Sequence, residues 1–451
     1  MATVLQFGEG NFIRSFIDYL IQLRQDKYGD GESVVLVTPI DNPYWENFRK
    51  QDCNYHTCVC GKVDGKAVKE YTYVTVVKDC VNPYREYDRY VEAYMDPELK
   101  VIISNTTEAG IAFNAADKFE DLGTFPAKIT KILYARYKKY GEAGRVELLP
   151  LELLPLELIE KNGETLKAYV LKYAEMWGLE AGFIDFVKGI KVYNSLVDKI
   201  VPGFPRGHEQ EHFDAIGGED KLLTVGEAFL SLVIEGDDSL KEKLPFLKDP
   251  RVKFTNDVKP YRERKVKILN GLHTALAPIS MLCGVGIVRD AILDKDLFAY
   301  ADALANVEII PTIKMDKELL MQFKRDVLER FSNPYIDHLF SSIILNSVSK
   351  WKTRLLPSFL ACDKNNRKHM LFALAALFCL YDSKDFAIND GDDVKAFFAE
   401  DLATDKKFEA FIRNQSFWGM DLEEAEGVYT AAVGYVHAIK DGKVRETLKT
   451  L

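Results

Sequence analysis

The chain lacks any long apolar run. The longest, Met370 to Tyr381, is too short to cross a bilayer and reads as a buried helix. It also lacks an excess of positive charge. Its 59 Lys and Arg are outnumbered by 69 Asp and Glu, a net charge of −10, which argues against nucleic-acid or membrane-surface partners. An anionic substrate would need locally clustered Lys or Arg to overcome that field. Cysteine is sparse: the seven present, an odd number without framework spacing, suit reduced thiols in the cytoplasm better than a disulfide scaffold. The opening MATVLQFGEG has neither a basic n-region nor an apolar h-region, so no signal peptide is expected. The remaining class is a soluble globular protein, long enough at 451 residues for two domains and a large core.

What is present begins with a nucleotide-binding pattern. Ala2 to Phe7 is a short apolar run ending at Gly8-Glu9-Gly10. Phe12, Ile13, Phe16, Ile17, Leu20 and Leu23 then recur at helical spacing, and Ser33 to Thr38 is a second apolar run. Strand, glycine turn, helix and strand open a dinucleotide-binding unit. Gly8 suits the tight turn, and Gly10 suits close approach of a pyrophosphate to the helix N-terminus. The third glycine of the usual fingerprint is missing, with Ile13 in its place. The acidic residue expected at the second strand end is displaced to Asp41. No arginine follows that strand tip, which favours NAD over NADP. A later strand, Lys100 to Ser104, runs into small and polar residues. The groups expected to meet the cofactor are Phe7, Gly8, Gly10, Asn11, Phe12, Asp41, Asn105, Thr106, Thr107 and Glu108.

Other patterns compete for attention. Tyr55 to Lys78 reads as a hairpin turning at Asp64-Gly65. Cys53, His56, Cys58 and Cys60 lie in or beside it, but without a second ligand pair they read as buried residues rather than a metal site. His208-Glu209-Gln210-Glu211-His212 matches the HExxH zinc-peptidase motif in form, yet glycines and Pro205 flank it and the segment reads as loop. A zinc peptidase using His208 and His212 is the competing function from another class. The tandem ELLPL-ELLPL from Glu147 to Leu156 has prolines that argue against a central strand.

Near Asn256 to Pro260 the glycine-punctuated strand pattern stops and helical periodicity takes over. The expected domains are therefore 1–257 and 258–451, an α/β Rossmann-type domain followed by a mainly α-helical one. Expected helices in the second include Lys317 to Phe331, Ile336 to Val348, Lys368 to Tyr381, Asp392 to Leu402 and Glu423 to Ile439. The most telling stretch is Pro260 to Pro278, PYRERKVKILNGLHTALAP, read as a helix interrupted near Pro278. On an α-helix Asn270 lies about 140° and His273 about 80° round from Lys265, all within one broad sector. A base, an amide and an imidazole facing one cavity suit carbonyl or alcohol chemistry. A solvated lysine, a helix-breaking Asn-Gly pair and a satisfied core histidine fit the same spacing.

Five blocks decide between these readings: QFGEGNFIR near the start, SNTTEAG at Ser104 to Gly110, NSLVDKIVPG at Asn194 to Gly203, PYRERKVKILNGLHT at Pro260 to Thr274, and RFSNPYIDH at Arg330 to His338. Together they resemble the mannitol dehydrogenase family, the polyol-specific long-chain dehydrogenases/reductases, over nearly the whole chain. TTEAG, FPAKIT at Phe125 to Thr130 and PYRERKVKILNG are most similar to the branch acting on sugar acids. The resemblance implies metal-independent hydride transfer with NAD(H) on a small sugar-acid or polyol substrate, at a site between the two domains. It makes Lys265 the general acid/base, Asn194 and Asn270 the alkoxide-stabilising amides, and His273 the group that orients substrate and lysine. Arg262, His338 and Lys350 are the expected substrate-binding residues, and the expected assembly is a monomer or small homo-oligomer. One departure is clear: Glu227-Ala228-Phe229 and Leu232 stand where the family pattern has Glu-Pro-Phe and a tryptophan.

Overall fold

The computed structural model describes residues 3–107, 109–148 and 151–451. The chain divides into two compact units, Met1–Val258 and Lys259–Leu451.

Among the described residues the first unit has eleven strands: β1 (Val4–Phe7), β2 (Val34–Val37), β3 (Tyr55–Val63), β4 (Lys66–Val74), β5 (Val77–Val81), β6 (Val101–Ser104), β7 (Glu152–Pro155), β8 (Asn194–Asp198), β9 (Thr224–Glu227), β10 (Ser231–Glu235) and β11 (Val252–Thr255). Five form a parallel sheet in the order β5-β2-β1-β6-β7. Short continuous apolar strands such as VLQF and VVLV, buried along their whole length, are what a sheet covered on both faces requires. The order reverses between β1 and β6, and the crevice at the carboxyl ends of those two strands is where ligands of such sheets bind. Two smaller sheets, β11-β10-β8 and β4-β3-β9, complete the unit. The β3–β4 hairpin turns at Asp64 and Gly65, with φ of 50° and 75°, the left-handed pair of a type I′ turn.

The second copy of the ELLPL repeat becomes β7. Its Pro155 falls at the last position of an outer strand of the five, where a missing N–H costs no ladder bond. Leu149 and Pro150, in the first copy, lie outside the described residues.

The second unit is helical. The helices Lys317–Phe331 and Lys368–Tyr381 have the predicted bounds, and the latter is buried on every face. Elsewhere the expectations need correction. The predicted helix 336–348 is a short turn, Phe340–Ile343, followed by Ser347–Arg354, with left-handed Asn346 (φ 53°) between them. The predicted helix 423–439 is broken at Gly427 (φ 64°) into Leu422–Glu426 and Val428–Lys440. Helix 259–282 is not interrupted at Pro278, which sits inside Gly271–Leu282 and removes a single backbone bond there. In the first unit the segment after Pro205 is not all loop, because Glu209–Ile216 is helical. Among the described residues no helix is long and apolar enough to cross a membrane.

Candidate active site

At the crevice of the first unit, Gly8 has φ 117°, and a Cβ there would lie 2.7 Å from the Asn105 carbonyl oxygen. The ends of β1 and β6 approach too closely for any side chain, and the Asn105 N–H donates to the Phe7 carbonyl (2.9 Å). The space beside Gly10 is open, and no side chain caps the helix that starts at Asn11. Backbone N–H groups at such a terminus suit a pyrophosphate. That helix runs over 11–28, with a π-helical turn at Arg14–Asp18. Arg14, fully buried, ties the turn together. It donates to the Glu9 carbonyl (3.0 Å), Asn11 Oδ1 (2.8 Å) and Tyr44 Oη (3.1 Å). Asn11 packs where a Cβ on Gly203 would stand, 2.6 Å from its Nδ2.

Two of the expected cofactor residues make ring contacts within the unit. The Phe7 ring packs in the core against Phe125 (5.1 Å between centroids) and Tyr90 (6.4 Å), so only its backbone borders the crevice. Phe12 stacks on Phe16. The Thr106 amide and hydroxyl both donate to Glu157 Oε1 (2.9 Å each), and Ser104 Oγ donates to Oε2 (3.1 Å). Burial raises the Glu157 pKa, an effect opposed by these bonds. Glu157 follows β7 directly, so the ELLPL strand serves to deliver the carboxylate that shapes the Ser104–Thr107 loop. Thr107 has φ 76°, a strained setting for a β-branched residue of the kind that gathers at functional sites. Glu108 lies outside the described residues.

The tip of β2 corrects the cofactor argument drawn from the sequence. No arginine adjoins the β2 tip along the chain, yet Arg85 reaches it from beyond β5. It grips Asp41 bidentately (3.0 and 2.7 Å), and Asn82 adds a third bond (3.1 Å). Arg85 first, then Asn82, holds the Asp41 carboxyl below its usual range. A cleft of about 540 Å³ lies beside this tip, lined by Glu9, Asn42 and Tyr44 among others. Burial raises the pKa of Glu9, which accepts from Asn42 Nδ2 (3.0 Å). Sequence reading missed Arg85, Glu157 and Glu9 because each acts through a contact remote in the chain.

Asn194 opens β8, buried, with its amide fully engaged. Nδ2 donates to Glu164 Oε1 (3.1 Å) and Glu235 Oε1 (2.9 Å), and Oδ1 accepts from the Glu164 N–H (3.1 Å).

In the second unit, Lys265 and Asn270 are the first and last residues of a second π-helical turn, Lys265–Asn270. A π turn bonds i to i+5, so these residues stand about one turn apart rather than splayed by the α-helical angle. Such turns are frequent at functional sites. Lys267, the other lysine of the turn, is committed elsewhere. It pairs with Glu263 (2.7 Å) and donates to the Thr312 carbonyl (3.2 Å). Arg264 lies over the rings of Phe323 (4.1 Å) and Tyr261 (5.3 Å).

His273 is buried, stacks on Phe331 (4.1 Å, 23°) and meets the edge of His338 (4.8 Å, 77°). Its Nε2 has no hydrogen-bond partner. Burial pushes its pKa well below the usual 6.5, and the positive charges of Arg330, Arg354 and Lys350, with His338, push it the same way. The imidazole is therefore neutral at physiological pH. The His338 carbonyl accepts from the Val288 N–H (3.0 Å), which fixes its backbone. Of the three expected substrate residues, His338 and Lys350 gather around His273. Arg262 takes no part in these ring contacts or hydrogen bonds.

The HExxH match does not have its motif's geometry. His208 precedes the helix and is exposed, while His212 Nδ1 pairs with Tyr71 Oη (2.9 Å) and Glu211 with Lys69. Among the described residues no group of three or more His, Cys, Asp or Glu is arranged to hold a metal ion. All seven cysteines are free thiols.

A sheet in Rossmann order, with its glycine turn at the first strand end, makes the first unit a dinucleotide-binding fold. Residues 2–248 match the mannitol dehydrogenase Rossmann domain, and residues 257–440 match the mannitol dehydrogenase C-terminal domain. The chain belongs to the mannitol dehydrogenase family. It is 37% identical over 461 residues to the altronate oxidoreductase of Bacillus subtilis, covering 99% of this chain and 94% of that protein. It is 35% identical over 464 residues to the altronate oxidoreductase of Phocaeicola vulgatus, covering 99% and 96%. Among solved structures, a substrate-free D-sorbitol dehydrogenase superposes with a TM-score of 0.80 at 20% identity, over 99% of this chain and 94% of that one. Pseudomonas fluorescens mannitol 2-dehydrogenase, a ternary complex with NAD and D-mannitol, gives 0.70 at 19%, over 100% and 94%. At those identities the likeness is one of fold.

Proposed function

We propose that the chain is an NAD(H)-dependent oxidoreductase interconverting D-tagaturonate and D-altronate in hexuronate catabolism, with Lys265 as acid/base. Full-length similarity to altronate oxidoreductases carries this reading. When bound in the β1–β6 crevice, NADH supplies the hydride for the keto carbon. Lys265 gives its proton to the developing alkoxide, and Asn270 steadies that oxygen with a side-chain N–H. Neutral His273 orients the substrate. For Asn194 to offer an N–H as well, one carboxylate must yield. Glu164, 56% exposed and shared with Lys161 (3.0 Å), is the one placed to do so.

The deciding experiment is NADH oxidation against tagaturonate, fructuronate and fructose. Tagaturonate is expected to have the highest kcat/KM and fructose the lowest. Indifference to the carboxylate would sink the sugar-acid reading.

Asp41 supports NAD over NADP by opposing a 2′-phosphate with its own charge and by occupying the guanidinium that would bind one. Asp41→Ala frees Arg85 and is expected to shift the NADPH/NADH ratio of kcat/KM upward by about tenfold or more. An unchanged ratio would remove Asp41 from cofactor selection.

A further inference from the structure

Near His273, among the described residues, Arg354 and Lys350 stand without a carboxylate in ion-pair contact. Arg354, last residue of the helix Ser347–Arg354, makes one hydrogen bond, from Nη1 to the neutral hydroxyl of Thr274 (3.3 Å). Among the described residues no carboxylate pairs with it, which leaves most of its five donors unused. Lys350, one turn earlier, donates only to the Ile343 carbonyl (2.8 Å). Asp390, the acid that favours the Lys350 charge, is buried and already satisfied by the N–H groups of Val348 (3.1 Å) and Gly391 (2.8 Å) and by Tyr381 Oη (2.9 Å). Beside these cations His273 presents a buried Nε2 with no partner. A half-buried guanidinium and ammonium with no counter-ion, in a chain of net charge −10, form a local anion site.

Its position along the catalytic helix is also specific. Thr274 Oγ1 donates to the Asn270 carbonyl (2.8 Å) and accepts from Arg354. The guanidinium is thereby fixed four residues, about 6 Å, beyond Asn270 along the helix. Gly271 faces the same segment, where a Cβ would meet Leu355 (3.4 Å) and the Arg354 carbonyl (3.7 Å) at ordinary contact distance. A sugar acid whose carbonyl lies at Lys265 and Asn270 spans a similar length to its far end.

Resting on the function proposed above, we infer that Arg354, seconded by Lys350, binds the substrate's carboxylate and is the residue that selects keto-uronates over neutral ketoses. The planar fork takes a carboxylate bidentately, which a neutral terminal hydroxymethyl group cannot match.

The test compares the wild-type enzyme with Arg354→Gln and Arg354→Lys, measuring kcat/KM for tagaturonate and for fructose together with NADH affinity by fluorescence. Arg354→Gln is expected to lower kcat/KM for tagaturonate at least tenfold through KM and the tagaturonate/fructose ratio of kcat/KM at least several-fold, with NADH affinity unchanged. Arg354→Lys keeps the charge without the fork and is expected to fall between. Should the glutamine variant not fold, the lysine variant alone reads the same ratio. Equal losses on both substrates, or none on either, overturn the inference. A wild-type enzyme with no preference for the carboxylate removes the proposed function itself. A wild-type preference that survives the substitutions removes only the role of Arg354.

Discussion

Lys265→Met is expected to cut turnover by at least about 10²-fold while NADH affinity stays near that of the wild type. The expectation rests on where the two lysines of the π turn stand and on what Lys267 holds. Lys267 is 8% exposed and holds Glu263 and the Thr312 carbonyl, so it bridges two elements of the second unit. Its removal leaves Glu263 without its partner, and Lys267→Met should lower stability before it lowers kcat. Lys265 begins the turn that ends at Asn270, which under the proposed function sets the acid/base and the amide against the same oxygen. Single-turnover NADH oxidation separates the two variants, since it isolates chemistry from product release. A Lys265→Met enzyme with near-normal turnover would refute the assignment. Because His273 stays neutral throughout, its titration should not appear in the pH–rate profile between pH 6 and 8.

Much of the architecture was legible in the sequence where the signal is local. The β1 run, the turn at Gly8 and the helix after it share one short segment, and the 368–381 helix announces itself by near-continuous apolar residues. Boundaries failed where one residue breaks a periodic pattern, as at Asn346 and Gly427, whose left-handed backbone interrupts what apolar spacing alone would continue. The π turn at Lys265–Asn270 was illegible because hydrophobic period scarcely distinguishes one widened turn from an α-helix. Yet it alters the angle between the two residues that matter. Arg85 was illegible for another reason: 44 residues separate it from Asp41, and the residues beside a strand tip carry no sign of a partner so far along the chain. ELLPL gained a physical account only once its second copy was seen as β7, delivering Glu157 to the loop that follows β6.

Lys199→Met is expected to stabilise the protein, by about 5 kcal/mol at pH 6 and about 2 kcal/mol at pH 9. Lys199 is 7% exposed, its Nζ makes no hydrogen bond, and it lies 5.0 Å from the Tyr19 ring. Glu227 is the acid that favours its charge, but one oxygen of that carboxylate accepts from the Ile200 N–H (2.6 Å), and Arg251 opposes the charge. Burial dominates and brings the pKa from a lysine's ordinary 10.5 to about 7. The folded-state value lies below the unfolded one, so between pH 7 and 10.5 the unfolded chain holds a proton that the folded chain has lost. Stability of the natural protein therefore rises with pH across that window. The full penalty is present below pH 7, where the buried ammonium is charged in both states but desolvated in one. A thioether of similar length has no charge to desolvate, so its advantage is largest in acid and shrinks as the lysine's own penalty fades. Gly226 leaves little room beside the stem, since a Cβ there would stand 2.8 Å from Lys199 Cε, and methionine is the substitution that keeps the same slender path. Chemical denaturation of both proteins at pH 6 and pH 9 gives the comparison directly. A variant less stable than the wild type at pH 6, or an advantage that does not shrink by pH 9, would mean that Lys199's charge is compensated inside the fold.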